Sequence, residues 1–424
     1  MAHRRSGWGF RAGWAGLLLP WLATAAPAQS PGRTPALKEG STAGVQGYGA
    51  ASRGGADGEV YRVTSLADTG PGSLRAGVES RTGTPRTVIF EVSGTITLRS
   101  TLFLKGARLT VDARSAPAPG ITLRKEPGCW NGVVIGAGED LVVMGLRGVG
   151  RWEPDSAPSS CQTEAVFVID GDAAPDQSTP RTGPVDNPRG VRRLVFAWNT
   201  ITRAADSGAD LWGDVQDVTF AHNLVYENYQ PQTISYKRTS SRRWPRQRLS
   251  WYRNVYAHNG ERQPQLVNGV YEMEYVNNIV YGWRSREGGY GLRFKGGSED
   301  LPTSPVNVIG NAFLEKGAPD SGCVFGETPR GNSSPRERVT AMQLWFEDNL
   351  LPLGRAHADL NCFTTPTARA AGGPYPVPEP ARVSRLPSGR IGEVLDGVGV
   401  PHRTATEQAL VGEIRQALAR RGSK

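Results

Sequence analysis

Five segments in the middle of the chain share one pattern, apolar-x-apolar-x-x-Asn-x-apolar: LVFAWNTI, VTFAHNLV, LSWYRNVY, MEYVNNIV and VNVIGNAF. Their asparagines, Asn199, Asn223, Asn254, Asn278 and Asn311, are spaced by 24, 31, 24 and 33 residues. Segments beginning at Leu109 and Leu141 look like earlier members that lack the Asn. Period-two alternation makes each segment a strand with one face buried. A unit near 24 residues is too short for a four-stranded propeller blade. It suits one coil of a parallel β-helix, each coil stacking its short strands on the next. An Asn at a fixed place fits such a stack. It tolerates the left-handed conformation, and its amide can bond to the same amide one coil away. The longer spacings imply loops at one corner, where insertions gather on the binding face. On pattern alone, an antiparallel β-sandwich remains the alternative.

The composition supports short strands and turns. The 424 residues include 53 Gly and 31 Pro, and only 21% are charged, which excludes a disordered polyelectrolyte. Residues 1–28 read as a secretory signal. Arg4, Arg5 and Arg11 precede an apolar run from Trp14 to Ala23, and Ala26-Pro27-Ala28 supplies the cleavage site. The expected destination is the medium or a periplasm, after a linker over 29–43. No later stretch is apolar enough to cross a membrane. The chain carries +9 and stays basic without the signal, which favours a polyanionic partner. Cys129, Cys161, Cys323 and Cys362 permit two disulfides in three pairings, and their spacing does not suggest a zinc site.

Both ends of such a stack need caps, since an open coil exposes strand edges and core. PGSLRAGVE (Pro71 to Glu79) reads as a short helix at one end. Thr404 and Glu407 have capping-box spacing before a helix through about Leu418, which would cover the coils or wrap back along them. Residues 315–385, rich in Gly, Pro and Ser, read as irregular loops. The expected division is therefore a β-helix over 44–320 and a loop-rich extension over 321–424. GVQGYGAASRGG (Gly44 to Gly55) imitates a phosphate loop, but no strand precedes it and no helix follows, so it reads as the entry to the first coil.

Several runs then resemble a known family. VYRVTSLADTGPGSLRAGVE (Val60–Glu79), RTVIFEVSGTITL (Arg86–Leu98) and LTVDARSAPAPGITL (Leu109–Leu123) look like the N-terminal half of secreted pectate lyases. NVYAHNGERQPQLVNG (Asn254–Gly269) resembles their catalytic strand and loop. VNVIGNAFLEKGAP (Val306–Pro319) and VLDGVGVPHRTATEQALVGEI (Val394–Ile414) resemble the later coils and tail. The resemblance implies an all-β, right-handed parallel β-helix with short capping helices and long loops on one face. It also implies calcium-assisted β-elimination of de-esterified α-1,4-polygalacturonate, by a protein expected to act as a monomer.

Such an elimination needs the uronate carboxylate neutralised and a base within reach of the C5 proton. The resemblance assigns the base to Arg262. Since Arg is ordinarily always protonated, a local field and alkaline conditions would have to favour its neutral form. Calcium takes oxygen ligands, and the family's acidic positions fall at Glu164, Asp206 and Asp210, with Gln162 in place of a further carboxylate. The i, i+4 spacing of Asp206 and Asp210 is expected to span a loop and a strand start rather than a helix. Tyr229 and Gln230 stand where relatives carry a substrate-binding Lys, and Gln265, Leu266 and Val267 follow the Arg-x-Pro. Substrate binding is therefore expected from Lys237, Arg293 and Lys295, with Trp244 as a sugar-stacking face. His222 and His258 read as packed coil residues. A β-helix glycosidase would need paired carboxylates, and the sequence has neither an Asp-Asp pair nor a Gly-His-Gly. A noncatalytic β-helix that binds anionic glycans is the rival from another class. Nucleic acid is not expected as a partner, for want of a binding motif.

Overall fold

In the computed structural model each repeat segment is a pair of strands joined by a sharp corner. Val191–Ala197 is followed by Thr200–Thr202 and Ser207–Trp212, and the next coil repeats this with Val215–Ala221, Leu224–Tyr226 and Thr233–Ser235. The structure describes residues 42–80, 83–153, 164–171, 190–235, 247–267, 271–283, 290–295, 304–314, 324–327, 342–352, 361–362 and 368–422. Among these, the strands form three parallel sheets of eleven, nine and eight strands, in which neighbours are corresponding strands of successive coils. This is a parallel β-helix. The signal segment expected at 1–28 lies outside the described residues.

Register follows from side-chain alternation. Phe196 pairs with Phe220 and Phe220 with Trp251. Inside the coil their rings stack 5.2 Å apart at 4° and 9°. These rings belong to one continuous core of Val, Leu, Ile and Phe side chains.

The asparagines form a ladder. The backbone N–H of Asn199 donates to Oδ1 of Asn223 at 2.9 Å, and Asn223, Asn254 and Asn278 each donate to the next at 3.0, 3.0 and 2.8 Å. Asn311 continues it to Asn349 at 2.9 Å. The left-handed conformation falls one residue earlier than expected. Trp198, His222, Arg253 and Asn277 have φ of 55°, 56°, 53° and 52°, and Gly310 takes the position at 63°. The corner thus bends before the Asn, whose amide then satisfies the peptide groups the bend leaves unpaired. A second, shorter ladder runs through Asn228 and Asn259 at another corner.

The caps take the expected forms. Helix α1 (Leu74–Glu79) is N-capped by Ser73, and Leu74 and Val78 enter the core. Helix α2 (Ala405–Gly422) opens on the capping box: Glu407 N–H donates to Thr404 Oγ1 at 3.2 Å and Thr404 N–H to Glu407 Oε2 at 2.7 Å. Its Leu410, Val411 and Ile414 pack on Leu224, Val255 and Ile279, on the outer side of the eight-stranded sheet. It therefore lies along the coils. Gly44 to Gly55 crosses the outer face of the eleven-stranded sheet, where a Cβ on Gly49 would fall 2.2 Å from Leu194 O. Close approach of backbone to backbone explains Gly49 and, against Arg86 O, Gly55.

The segment 315–385 departs from the loop reading. Phe325–Glu327, Met342–Glu347, Asn361–Cys362 and Ala368–Ala370 extend the nine- and eleven-stranded sheets past residue 320. Met342–Glu347 carries the alternation into Asn349, and Leu344, Phe346 and Leu351 complete the same motif there, a sixth member that sequence reading overlooked. Cys129 is disulfide-bonded; Cys161 and Cys323 lie outside the described residues.

Candidate active site

The nine-stranded sheet turns Phe167, Ala209, Leu211, Ile234, Leu266 and Phe294 inward. Alternation then sends Asp210, Thr233, Gln265 and Arg293 outward. Thr233 pairs with Gln265 and Gln265 with Arg293, so these side chains form one polar row across successive coils. Asp210 joins the row through its Oδ1, which accepts the Thr233 N–H at 2.6 Å.

Arg262 stands at the corner just before the strand Gln265–Val267, with φ of 62° and a cis Gln263–Pro264 bond following. Its Nη1 donates to Thr233 Oγ1 at 3.2 Å. Its buried Nε makes no hydrogen bond and lies 3.8 Å from Glu261 Oε1. Glu261 is held elsewhere: Gln230 Nε2 donates to Oε1 at 2.7 Å, and Arg293 ion-pairs with Oε2. Beneath the row, the buried Gln232 accepts from Trp251 Nε1 at 3.0 Å and Tyr256 OH at 2.6 Å. This network fixes the backbone that presents Thr233.

Glu164 and Asp206 immediately precede Ala165 and Ser207, which pair in register, so the two carboxylates are neighbours across coils. Asp206 sits in the loop before its strand and Asp210 within it, not on one helix face as their spacing alone would put them. Burial pushes the Asp206 carboxyl up to about 6, with the Glu164 charge adding and Arg262 opposing. Asp210 is likewise pushed up to about 6 by burial, against hydrogen bonds from Ser207 at 2.5 Å and Thr233. Trp212 Nε1 also donates to it, at 3.2 Å. Glu164 pairs with Lys125 Nζ at 3.2 Å.

Calcium would need several free oxygen donors. Among the described residues no three His, Cys, Asp or Glu side chains are grouped to hold a metal. Asp210 is occupied by its hydrogen bonds and Glu164 by Lys125. Of Glu164, Asp206 and Asp210, Asp206 is the one with neither a hydrogen bond nor an ion pair. These side chains do not compose a calcium cage by themselves. Gln162, Lys237 and Trp244 lie outside the described residues. Lys295 ends the strand that carries Arg293.

The structure thus brings Arg262, Arg293, Asp206 and Asp210 to one face. It adds Lys125, Thr233, Glu261 and Gln265, which sequence reasoning missed. Glu261 adjoins Arg262, and Thr233 follows from alternation; Lys125 gives no local signal, because it reaches over from another sheet. His222 and His258 face away from this row. His222 stacks on Trp198 at 5.1 Å, and His258 meets Glu413 of α2 at 3.2 Å. Tyr229 packs on Trp152 at 5.9 Å.

No family model matches the chain. It is 29% identical over 272 residues to proteins of Aspergillus flavus and Aspergillus oryzae, each named a probable pectate lyase C; the match covers 64% of this chain and 53% of theirs. The chain therefore spans about half the length of the curated relatives it matches. The crystal structure of jun a 1, the major allergen from cedar pollen, superposes with a TM-score of 0.60 at 15% identity, covering 84% of this chain and 92% of that one. A pectate lyase from Xanthomonas campestris gives 0.52 at 14%, covering 85% and 99%. In sequence the chain is similar to curated pectate lyases, and it shares the parallel β-helix of solved ones.

Proposed function

We propose that the chain is an exported polysaccharide lyase that cleaves polygalacturonate by β-elimination, with Arg262 as the base. The observation that carries this is Arg262 itself. A guanidinium with an unbonded Nε is held by Thr233 over a polar row, inside the segment that resembles the pectate lyase catalytic loop. In the reaction the C5–H and C4–O bonds break, a C4–C5 double bond forms, and the departing O4 takes a proton. Arg262, in the neutral guanidine form that alkaline conditions favour, receives the C5 proton, and water supplies the proton that O4 takes. Arg293, Lys237 and Lys295 supply positive charge for uronate carboxylates, and Trp244 a face for a sugar ring. An acidic polysaccharide suits the basic chain, and export follows from the signal read at 1–28. Calcium assistance is expected from the resemblance. Of Glu164, Asp206 and Asp210 only Asp206 stands open for it, and no step here depends on it.

Purified protein incubated with polygalacturonate at alkaline pH, with calcium or with EDTA, tests the reading. Ultraviolet absorbance from the new double bond is expected, and Arg262→Ala is expected to abolish it. No absorbance from the wild type, with glycan binding retained, would leave the noncatalytic reading in its place.

A further inference from the structure

We propose that Lys125 is a resident cation for the Glu164–Asp206 carboxylate pair, so that the chain alone binds calcium weakly. Lys125 ends the strand Ile121–Lys125 of the eight-stranded sheet, whereas Glu164 immediately precedes a strand of the nine-stranded sheet. The ammonium crosses that corner and is built in. The Lys125 side chain is only 5% exposed, and Glu164 is 15% exposed. Lys125 Nζ also donates to Gly128 O at 2.6 Å and lies 4.7 Å from the centre of the Trp130 ring. Three contacts and near-complete burial fix the charge where an exposed lysine would swing free. A small cleft opens beside Lys125 and Glu164, and Arg124 and Arg151 line it together with them. A divalent cation approaching Glu164 from this side meets a fixed positive charge at contact distance. On the other side, Arg262 acts on Asp206. The pair is thus flanked by the protein's own cations, which explains why no metal cage forms among these side chains.

The inference concerns the site of the proposed function, but its test reads metal affinity on the protein alone. It stands or falls whether or not polygalacturonate is cleaved. Calcium is titrated calorimetrically into the full chain as wild type, Lys125→Met, Lys125→Arg and Glu164→Gln. Lys125→Met is expected to bind calcium about tenfold or more tightly than wild type, and Lys125→Arg about as weakly as wild type. Glu164→Gln is expected to change the wild-type affinity by less than roughly threefold, because the ammonium already masks that carboxylate. Lys125→Met binding no tighter than wild type, or not at all, overturns the proposal. So does a loss of about tenfold or more in Glu164→Gln. If Lys125→Met fails to fold, judged by a calcium-free thermal melt, the Glu164→Gln result decides.

Discussion

Arg262 owes its position to a short chain of contacts: the buried Gln232 sets the backbone, Thr233 holds one guanidinium nitrogen, and Glu261 is drawn away by Arg293 and Gln230. Arg262→Ala should therefore lower lyase turnover by at least about a hundredfold, and Thr233→Val by roughly tenfold with the fold intact, measured as initial absorbance rates. Two buried groups away from the site make stability pH-dependent in opposite senses. Glu274 is pushed up to about 7 by burial, against a hydrogen bond from the Val383 backbone and the charges of Arg385 and Arg382. Its folded state holds a proton that the unfolded chain releases near 4.5, so its contribution is full below 4.5 and lost as pH rises through 7. Glu274→Gln should stabilise the protein by roughly 2–3 kcal/mol at pH 8 and hardly at all at pH 4, read from denaturant midpoints. His222 is pushed down to about 4 by burial, aided by Arg253, so its contribution is full above 6.5 and lost as pH falls through 4.

At the scale of the element, the Asn ladder joins one coil to the next. The Asn254 side chain accepts from the Asn223 N–H at 3.0 Å and donates to Phe220 O at 2.9 Å and Asn278 Oδ1 at 3.0 Å. Asn254→Ala would leave buried peptide groups unpaired, at a cost of about 2–4 kcal/mol in equilibrium unfolding. Asn349→Ala, in partly buried surroundings, should cost less. The strands and the inter-coil amide contact were legible in the sequence, because alternation and one repeated Asn are local signals. The position of the left-handed residue was not, since that place is filled variously by Trp, His, Arg, Asn and Gly. The strand before Asn349 carried the full motif at a spacing of 38 residues, and was overlooked because the Gly, Pro and Ser around it made the whole stretch read as loop. At the site, Arg262 and the acidic positions were legible through motif resemblance. Lys125 was not, because only the closing of a coil brings it to Glu164.

At the scale of the molecule, the stack is clasped by its C-terminal segment. Arg147, 7% exposed in its side chain, forms a 2.7 Å ion pair with the fully buried Glu407 of α2. The helix also covers the apolar face formed by Leu224, Val255 and Ile279. Glu407→Ala removes a cap and leaves Arg147 buried without its countercharge, so a loss of roughly 3–5 kcal/mol is expected by denaturant unfolding. Ending the chain before Thr404 should do more than lower the melting temperature. The uncovered strip should bind a hydrophobic dye and drive self-association, visible by light scattering.

The Arg147–Glu407 pair also sets an order of events as the chain is made. Most coils contact only their immediate neighbours, so they can be added in turn as the polypeptide emerges. Arg147 is one exception, because its partner lies 260 positions downstream. Until Glu407 arrives, that guanidinium is held by water, and the apolar strip beside it lies uncovered. Synthesis thus runs with its clasp undone, and a chain cut short anywhere before α2 is marked as unfinished by the bare strip along its side.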